Sequence, residues 1–258
     1  MSFLNNPHML ATPKVARHEL GEGAFVLSNP EPLGEIARCV GEWLEHWALK
    51  SPNALFLAER DSNEQWVKLT YFEVRQHVGR LAQGLLNMRL PRNAPVVALS
   101  DPGIDQALLM LACLYIGRPF STVSSAYSRV SKDYLKLKAA LEGLDPGLVY
   151  ASDGELYQSA IGATVKDCPV LLSEKEEAIA GSISFVDLLH TEETVEVMHA
   201  FNAITPETHA KYMLTSGSTG KPKIVINTHR MLCANQKQIQ IAWPFLKHEK
   251  PILVSRRA

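Results

Sequence analysis

The chain has 258 residues, 46% hydrophobic and 21% charged, which is the balance of an ordinary globular protein with length enough to bury a sizeable core in one large domain or two small ones. Its 26 basic and 27 acidic residues nearly cancel, and no basic stripe interleaves with aromatics, so nucleic acid is excluded as an expected partner. The longest apolar run, ALLMLACLYIG (107–117), is too short to span a bilayer, and the N-terminus lacks the basic-then-apolar order of a secretory signal, so a cytoplasmic location is expected.

The first 32 residues, punctuated by Pro7, Pro13, Pro30 and Pro32, read as an irregular arm. A helix is predicted from about Gly34, with Ile36, Val40, Trp43, Leu44 and Trp47 at helical spacing and the two tryptophans as core. ALFLAE (54–59) and QWVKLT (65–70) read as strands around the polar turn RDSN. Thr70 and Glu73 form a capping-box pattern that opens a helix with the apolar stripe Val74, Val78, Leu81, Ala82 and Leu85.

From residue 94 the pattern alternates. APVVALS, PFSTV, LVYAS and PVLLS are short apolar runs suited to buried parallel strands. Between them lie helical stretches: 104–116 ended by Gly117, SKDYLKLKAALEGL closed by DPG, and DGELYQSAIG. Strand and helix in regular order predict an α/β fold, layered, with a largely parallel sheet and flanking helices. The segment 174–207, with its acidic runs SEKEEA and TEETVE, reads as a connection with one short helix and a solvated face. Cys39, Cys113, Cys168 and Cys233 lie far apart without a CxxC, as expected of reduced, mostly buried thiols and not of a disulfide or metal site.

Between the predicted strands KYMLT and KIVIN lies the most donor-rich stretch of the chain, TSGSTGKPK (215–223). Gly217 and Gly220 tolerate positive φ, so successive backbone N–H groups can turn inward and cradle an anion. Thr215, Ser216, Ser218 and Thr219 add hydroxyls, Lys221 and Lys223 add charge, and Pro222 stiffens the exit. These features fit a polyphosphate. A P-loop is excluded, because its first glycine position is Thr215 and its Ser/Thr position is Pro222. The loop also joins strand to strand, where a P-loop joins strand to helix. A polar hairpin that binds nothing is the alternative, and the flanking Thr and KPK weigh against it.

YMLTSGSTGKPKIVINTH resembles the phosphate-binding signature of the adenylate-forming superfamily, matched at Thr215, Ser216, Gly217, Ser218, Thr219, Gly220, Pro222, Lys223, Val225, Thr228 and His229. Ile224 departs from it, standing where many members carry Gly. LTYFEV and ALLMLACLYIGRPFSTVS resemble two earlier motifs of the same family in the right order, so the resemblance spans about 33–254. Within the superfamily, SSAYSRVSKDYLKLK, PGLVYASDG and VINTHRMLCANQ look most like feruloyl-CoA synthase.

The resemblance implies an AMP-forming acid–CoA ligase. A carboxylic acid, such as ferulate or another hydroxycinnamate, attacks MgATP to give an acyl-adenylate and pyrophosphate, and the acyl group then passes to CoA. It implies that Thr215, Ser216, Gly217, Ser218, Thr219, Gly220 and Lys223 hold the phosphates, with ATP, Mg2+ and CoA as cofactors. No residue is assigned a catalytic role, and His229 reads as a helix-start residue. The family's later motifs for adenine, magnesium and ribose, and its lysine-bearing lid domain, have no counterpart here. The chain is therefore expected to comprise the arm 1–32 and a partial AMP-binding domain over 33–258, with PILV (251–254) as a core strand. The alternative is a truncated fragment that binds polyphosphate weakly and forms no acyl-CoA.

Overall fold

The computed structural model describes residues 10–215, 222–247 and 251–254. In chain order it holds a hairpin of β1 (Ala16–Gly21) and β2 (Ala24–Ser28), helix α1 (Gly41–Lys50), a hairpin of β3 (Leu55–Arg60) and β4 (Trp66–Thr70), and helix α2 (Tyr71–Asn87). An alternating series follows: β5 (Val96–Ala98), α3 (Ile104–Tyr115), β6 (Phe120–Thr122), α4 (Ala126–Arg129), α5 (Leu135–Leu144), β7 (Leu148–Asp153), α6 (Gly154–Thr164) and β8 (Val170–Glu174). The last elements are β9 (Ile183–Ser184), α7 (Phe185–Leu189), α8 (Val195–Ala203), β10 (His209–Thr215), β11 (Lys223–Thr228) and α9 (His229–Ala242).

The chain forms two compact units, one running from Arg38 to His229 and the other combining the segments before and after it. The larger unit is built on a seven-stranded sheet of order β11-β10-β6-β5-β7-β8-β9. Every neighbouring pair is parallel except β10 and β11. The predicted α/β fold with a largely parallel sheet is the observed one. The chain leaves β5 toward β6 on one side and returns to β7 on the other, which makes a topological switch at the carboxyl end of β5.

Both faces of the sheet are covered, and the period of two along each strand decides which residue goes where. Val96, Ala98, Leu148, Tyr150 and Leu171 face one core, shared with α2, α3, α7 and α8. Val97, Leu99, Val149, Ala151 and Leu172 face the other, shared with α5 and α6. Each valine and leucine among them contributes about 1.5–3 kcal/mol relative to exposure. The predicted stripe of α2 is buried throughout, and its capping box is formed: Glu73 N–H donates to Thr70 Oγ1 at 3.3 Å, and Thr70 N–H donates to Glu73 Oε2 at 2.8 Å. Gly117 ends α3 at φ +70°, where it also lies against Ile204.

Several expectations differ from the structure. Residues 16–28, read as irregular, form the β1–β2 hairpin, whose turn places Gly21, Glu22 and Gly23 at positive φ. The segment 174–207 is more regular than its composition suggests. It holds a 3-10 turn, the edge strand β9 and two helices, with Phe185, Leu188, Val197 and Phe201 buried. Elements of two to nine residues are too short for a hydrophobic period to show. Trp47, expected in the core, is 37% exposed and lies beside Tyr71 and Lys50. Residues 251–254, expected as a core strand, pair with no strand among the described residues, and Ile252, Leu253 and Val254 are 83–96% exposed. Apolar composition without a hydrogen-bonding neighbour does not make a strand. None of the four cysteines is in a disulfide; three are buried and Cys168 is half-buried.

In the smaller unit the β1–β2 hairpin carries Arg17 over the ring of Phe25, and the N–H of Ala11 donates to the carbonyl of Ala242 at 3.0 Å.

Candidate functional site

The strands that bracket the glycine-rich stretch are β10 and β11. Their pairing is regular at this end, with Tyr212 opposite Ile226, Leu214 opposite Ile224 and Thr215 opposite Lys223. The Thr215 hydroxyl donates across the pair to the Lys223 carbonyl at 3.4 Å. Both side chains are exposed, so the hydroxyl and the ammonium stand free of the core at the mouth of the hairpin. Ser216, Gly217, Ser218, Thr219 and Gly220 lie outside the described residues. The structure therefore places two of the seven sequence-predicted site residues, Thr215 and Lys223, and brings them side by side.

The register with β6 fixes where that mouth sits. Lys211 pairs with Phe120 and Tyr212 with Ser121 in parallel, and the Ser121 hydroxyl donates to the Tyr212 carbonyl at 2.9 Å. Thr215 is thus at the carboxyl end of its strand, on the same edge as the ends of β5, β6 and β7. In open α/β sheets, ligands bind outside that edge near a topological switch.

Sequence reasoning did not single out a second polar group on this edge. Asp101, just after β5, receives a hydrogen bond from Ser125 Oγ and an ion pair from Arg129 Nη1 at 2.8 Å. The pair staples the exit of β5 to the short helix after β6. Its members are 24 and 28 residues apart, and only the parallel β5–β6 register brings them together.

His229 closes the far end of β11. Its backbone N–H donates to Thr208 O at 3.1 Å, and its Nδ1 accepts the N–H of Val40 at 3.3 Å. The ring is fully buried, and desolvation, with Arg38 adding repulsion, lowers its pKa to about 4. The imidazole is neutral at physiological pH and ties β11 to the start of α1. This is the helix-start role read from the sequence. Among the described residues, no group of three His, Cys, Asp or Glu side chains is placed to hold a metal ion, and no helix is long and apolar enough to cross a membrane.

Comparison with known proteins adds to this geometry. The nonribosomal peptide synthetase TES of Alternaria alternata is 26% identical over 211 residues, covering 80% of this chain and 4% of that protein. The acetyl-coenzyme A synthetase of Emericella nidulans is 29% identical over 203 residues, covering 72% of this chain and 29% of that protein. The chain thus spans less than a third of the length of these curated relatives. A solved fatty acyl-adenylate ligase from L. pneumophila, in complex with acyl adenylate and pyrophosphate, superposes with a TM-score of 0.58 at 20% identity, covering 79% of this chain and 32% of that one. Its likeness is one of fold. Residues 44–255 match the AMP-binding enzyme family, and the chain belongs to that family.

Proposed function

We propose that this chain carries the phosphate-binding part of an AMP-forming acid–CoA ligase. The observation that carries the reading is the hairpin itself. A Ser/Thr/Gly-rich stretch with lysines is held between paired strands at the carboxyl edge of a parallel sheet, in a chain of the AMP-binding family. Thr215 and Lys223 at its mouth suit a polyphosphate: one offers a hydroxyl, the other an exposed cation. In this reading Ser216, Gly217, Ser218, Thr219 and Gly220 complete the cradle. Their role is to position the phosphates and to stabilise charge on the departing pyrophosphate. ATP supplies the adenylate and CoA accepts the acyl group. Mg2+ would offset charge on the polyphosphate, and none of the described residues is assigned to hold it.

For the acid we propose a hydroxycinnamate such as ferulate, on the likeness of SSAYSRVSKDYLKLK, PGLVYASDG and VINTHRMLCANQ to feruloyl-CoA synthase. A second reading is favoured by the peptide synthetase relative: adenylation of an amino acid for a carrier-bound thiol. One assay separates them. In a longer protein that joins this chain to the family's later motifs, ATP–pyrophosphate exchange is measured with ferulate, acetate, palmitate and a set of amino acids, followed by thioester formation with CoA. Ferulate-dependent exchange and a CoA thioester support the proposal. Exchange driven best by an amino acid favours the second reading, and exchange driven best by acetate or palmitate removes the hydroxycinnamate assignment.

A further inference from the structure

The two edges of the seven-stranded sheet are built differently. At one end β9 offers two residues, Ile183 and Ser184, too short a strand to template another chain, which is a common way of protecting an edge. At the other end β11 runs for six residues, and β10 is its one hydrogen-bonded strand among the described residues. The middle of β11 is apolar. Ile224, Val225 and Ile226 are 36–46% exposed, and Met213, opposite Val225 on β10, is exposed as well. Pro222 and Lys223 guard one end of this edge and Asn227 stands toward the other, but its centre carries no charge and no proline. The Val225 carbonyl accepts a bond from Asn227 Nδ2 of its own strand at 3.4 Å, a long contact that the N–H of another strand can replace.

We infer that the edge of β11 docks a second copy of the same strand, antiparallel, about a two-fold axis at Val225. The sequence of the strand selects that register. Centred on Val225, the pairing sets Val225 against its own copy, each Ile224 against an Ile226, and each Lys223 against the neutral Asn227. Every apolar residue meets an apolar one, and no charge directly faces a like charge. Moving the axis by one residue breaks the match. Centred on Ile224, it faces Val225 with Lys223; centred on Ile226, it faces Val225 with Asn227 and Ile224 with Thr228.

The pairing also extends inward. Because Met213 lies opposite Val225 on β10, one face of the joined sheet carries the row Met213, Val225, Val225, Met213 across the two copies. The other face carries Leu214, Ile224, Ile226 and Tyr212 in the same way. Lys211 of the second copy lies opposite its own Asn227, two strand spacings from Lys223, roughly 10 Å, where salt screens the repulsion. The same patch serves both copies, as two-fold dimers require. This pairing is independent of phosphate binding, since it uses the edge of β11 and not the stretch before it.

Sedimentation equilibrium of the whole chain over the micromolar range tests it, and a reversible dimer is expected. Val225→Lys, which sets two ammonium groups face to face on the axis, should weaken the dimer at least about tenfold. Position is tested with single cysteines in a Cys168→Ser background, since Cys168 is the one native thiol that is not buried. Val225→Cys should form a disulfide-linked dimer under mild oxidation, because paired residues on neighbouring strands have Cα atoms about 5 Å apart, within reach of a disulfide. Met213→Cys should not, since its copies would lie three strand spacings apart, roughly 14 Å. A chain that is monomeric throughout overturns the pairing. So do aggregates larger than a dimer, a dimer that Val225→Lys leaves unchanged, and cross-linking that is equal at the two positions. If Val225→Lys does not fold, the two cysteine variants decide: cross-linking at Val225 alone supports the pairing, and any other pattern overturns it.

Discussion

Arg75 grips Glu193 with both ends of its guanidinium, Nη1 to Oε2 at 2.9 Å and Nη2 to Oε1 at 3.0 Å. The same arginine also pairs with Glu45, which accepts a hydrogen bond from Tyr115. Four elements thus meet on one half-buried cation: α1, α2, α3 and the approach to α8. Next to it, Thr194 donates its N–H and its hydroxyl to Gln83 Oε1, so the start of α8 is pinned to α2 twice over.

Arg75→Ala should therefore destabilise the larger unit by about 1–3 kcal/mol, because Glu193 and Glu45 lose a charge-assisted partner where water is partly excluded. Urea titration of Arg75→Ala, Glu193→Ala and the double variant measures it. The double variant should lose less than the sum of the singles. Strict additivity would show that the fork contributes nothing beyond its separate parts.

Glu193 also shows where sequence reading stops. TEETVE is acidic and reads as a solvated face, yet Glu193 is 29% exposed at its side chain and ion-paired 118 residues back. Nothing local in the run distinguishes it from a surface charge, since the partner is set by how α8 lies on α2. The elements that were legible obey local rules: the capping box at Thr70, the stripe of α2, the buried strands from Val96 to Leu172, and the glycine stop after α3. The β1–β2 hairpin was not legible because its strands are exposed and bury no apolar face, and β9 and α7 span only two and five residues. Of the candidate site, the bracketing strands and the pairing partners Thr215 and Lys223 could be read. Asp101, Ser125 and Arg129 could not, because a parallel register and not a motif assembles them.

In a longer protein that joins this chain to the family's later motifs, Lys223→Ala should slow pyrophosphate exchange about 10–100-fold, the kinetic equivalent of losing one charge-assisted contact of ~1.5–3 kcal/mol. Its side chain is exposed, so the fold should be unaffected. Exchange at the wild-type rate, in a variant with unchanged urea midpoint, would remove Lys223 from the site.

His229 predicts an acid-side loss of stability. Its folded pKa, lowered to about 4, lies below the ordinary histidine value, so the unfolded chain binds more protons between the two. Stability is therefore greatest above about pH 6.5 and falls as pH drops toward 4, by up to roughly 3 kcal/mol for this one group. His229→Asn keeps an acceptor for the Val40 N–H while removing the titration. Its stability should vary less between pH 7.5 and 5 than that of the wild type, by chemical denaturation at both. A parallel decline in the two proteins would assign the acid sensitivity elsewhere.

Gly154→Ala tests a close approach of backbone to backbone. A Cβ at Gly154 would stand 2.1 Å from the carbonyl oxygen of Lys175, so α6 or the loop after β8 must move. A loss of about 1–3 kcal/mol is expected, as for overpacking in a core. A neutral result by thermal melting would mean that the Lys175 turn yields freely.

The pairing of β10 with β6 spans 91 residues, from Ser121 to Tyr212, whereas the β10–β11 hairpin closes across residues 216–222 alone. Chain closure costs more entropy as the loop lengthens, and hairpins form in microseconds when their strands lie close in sequence. The segment that carries Thr215 and Lys223 has the means to assemble by itself and to join the parallel sheet last. If the β10–β11 hairpin forms locally, its docking on β6 is the longer-range and slower of the two steps.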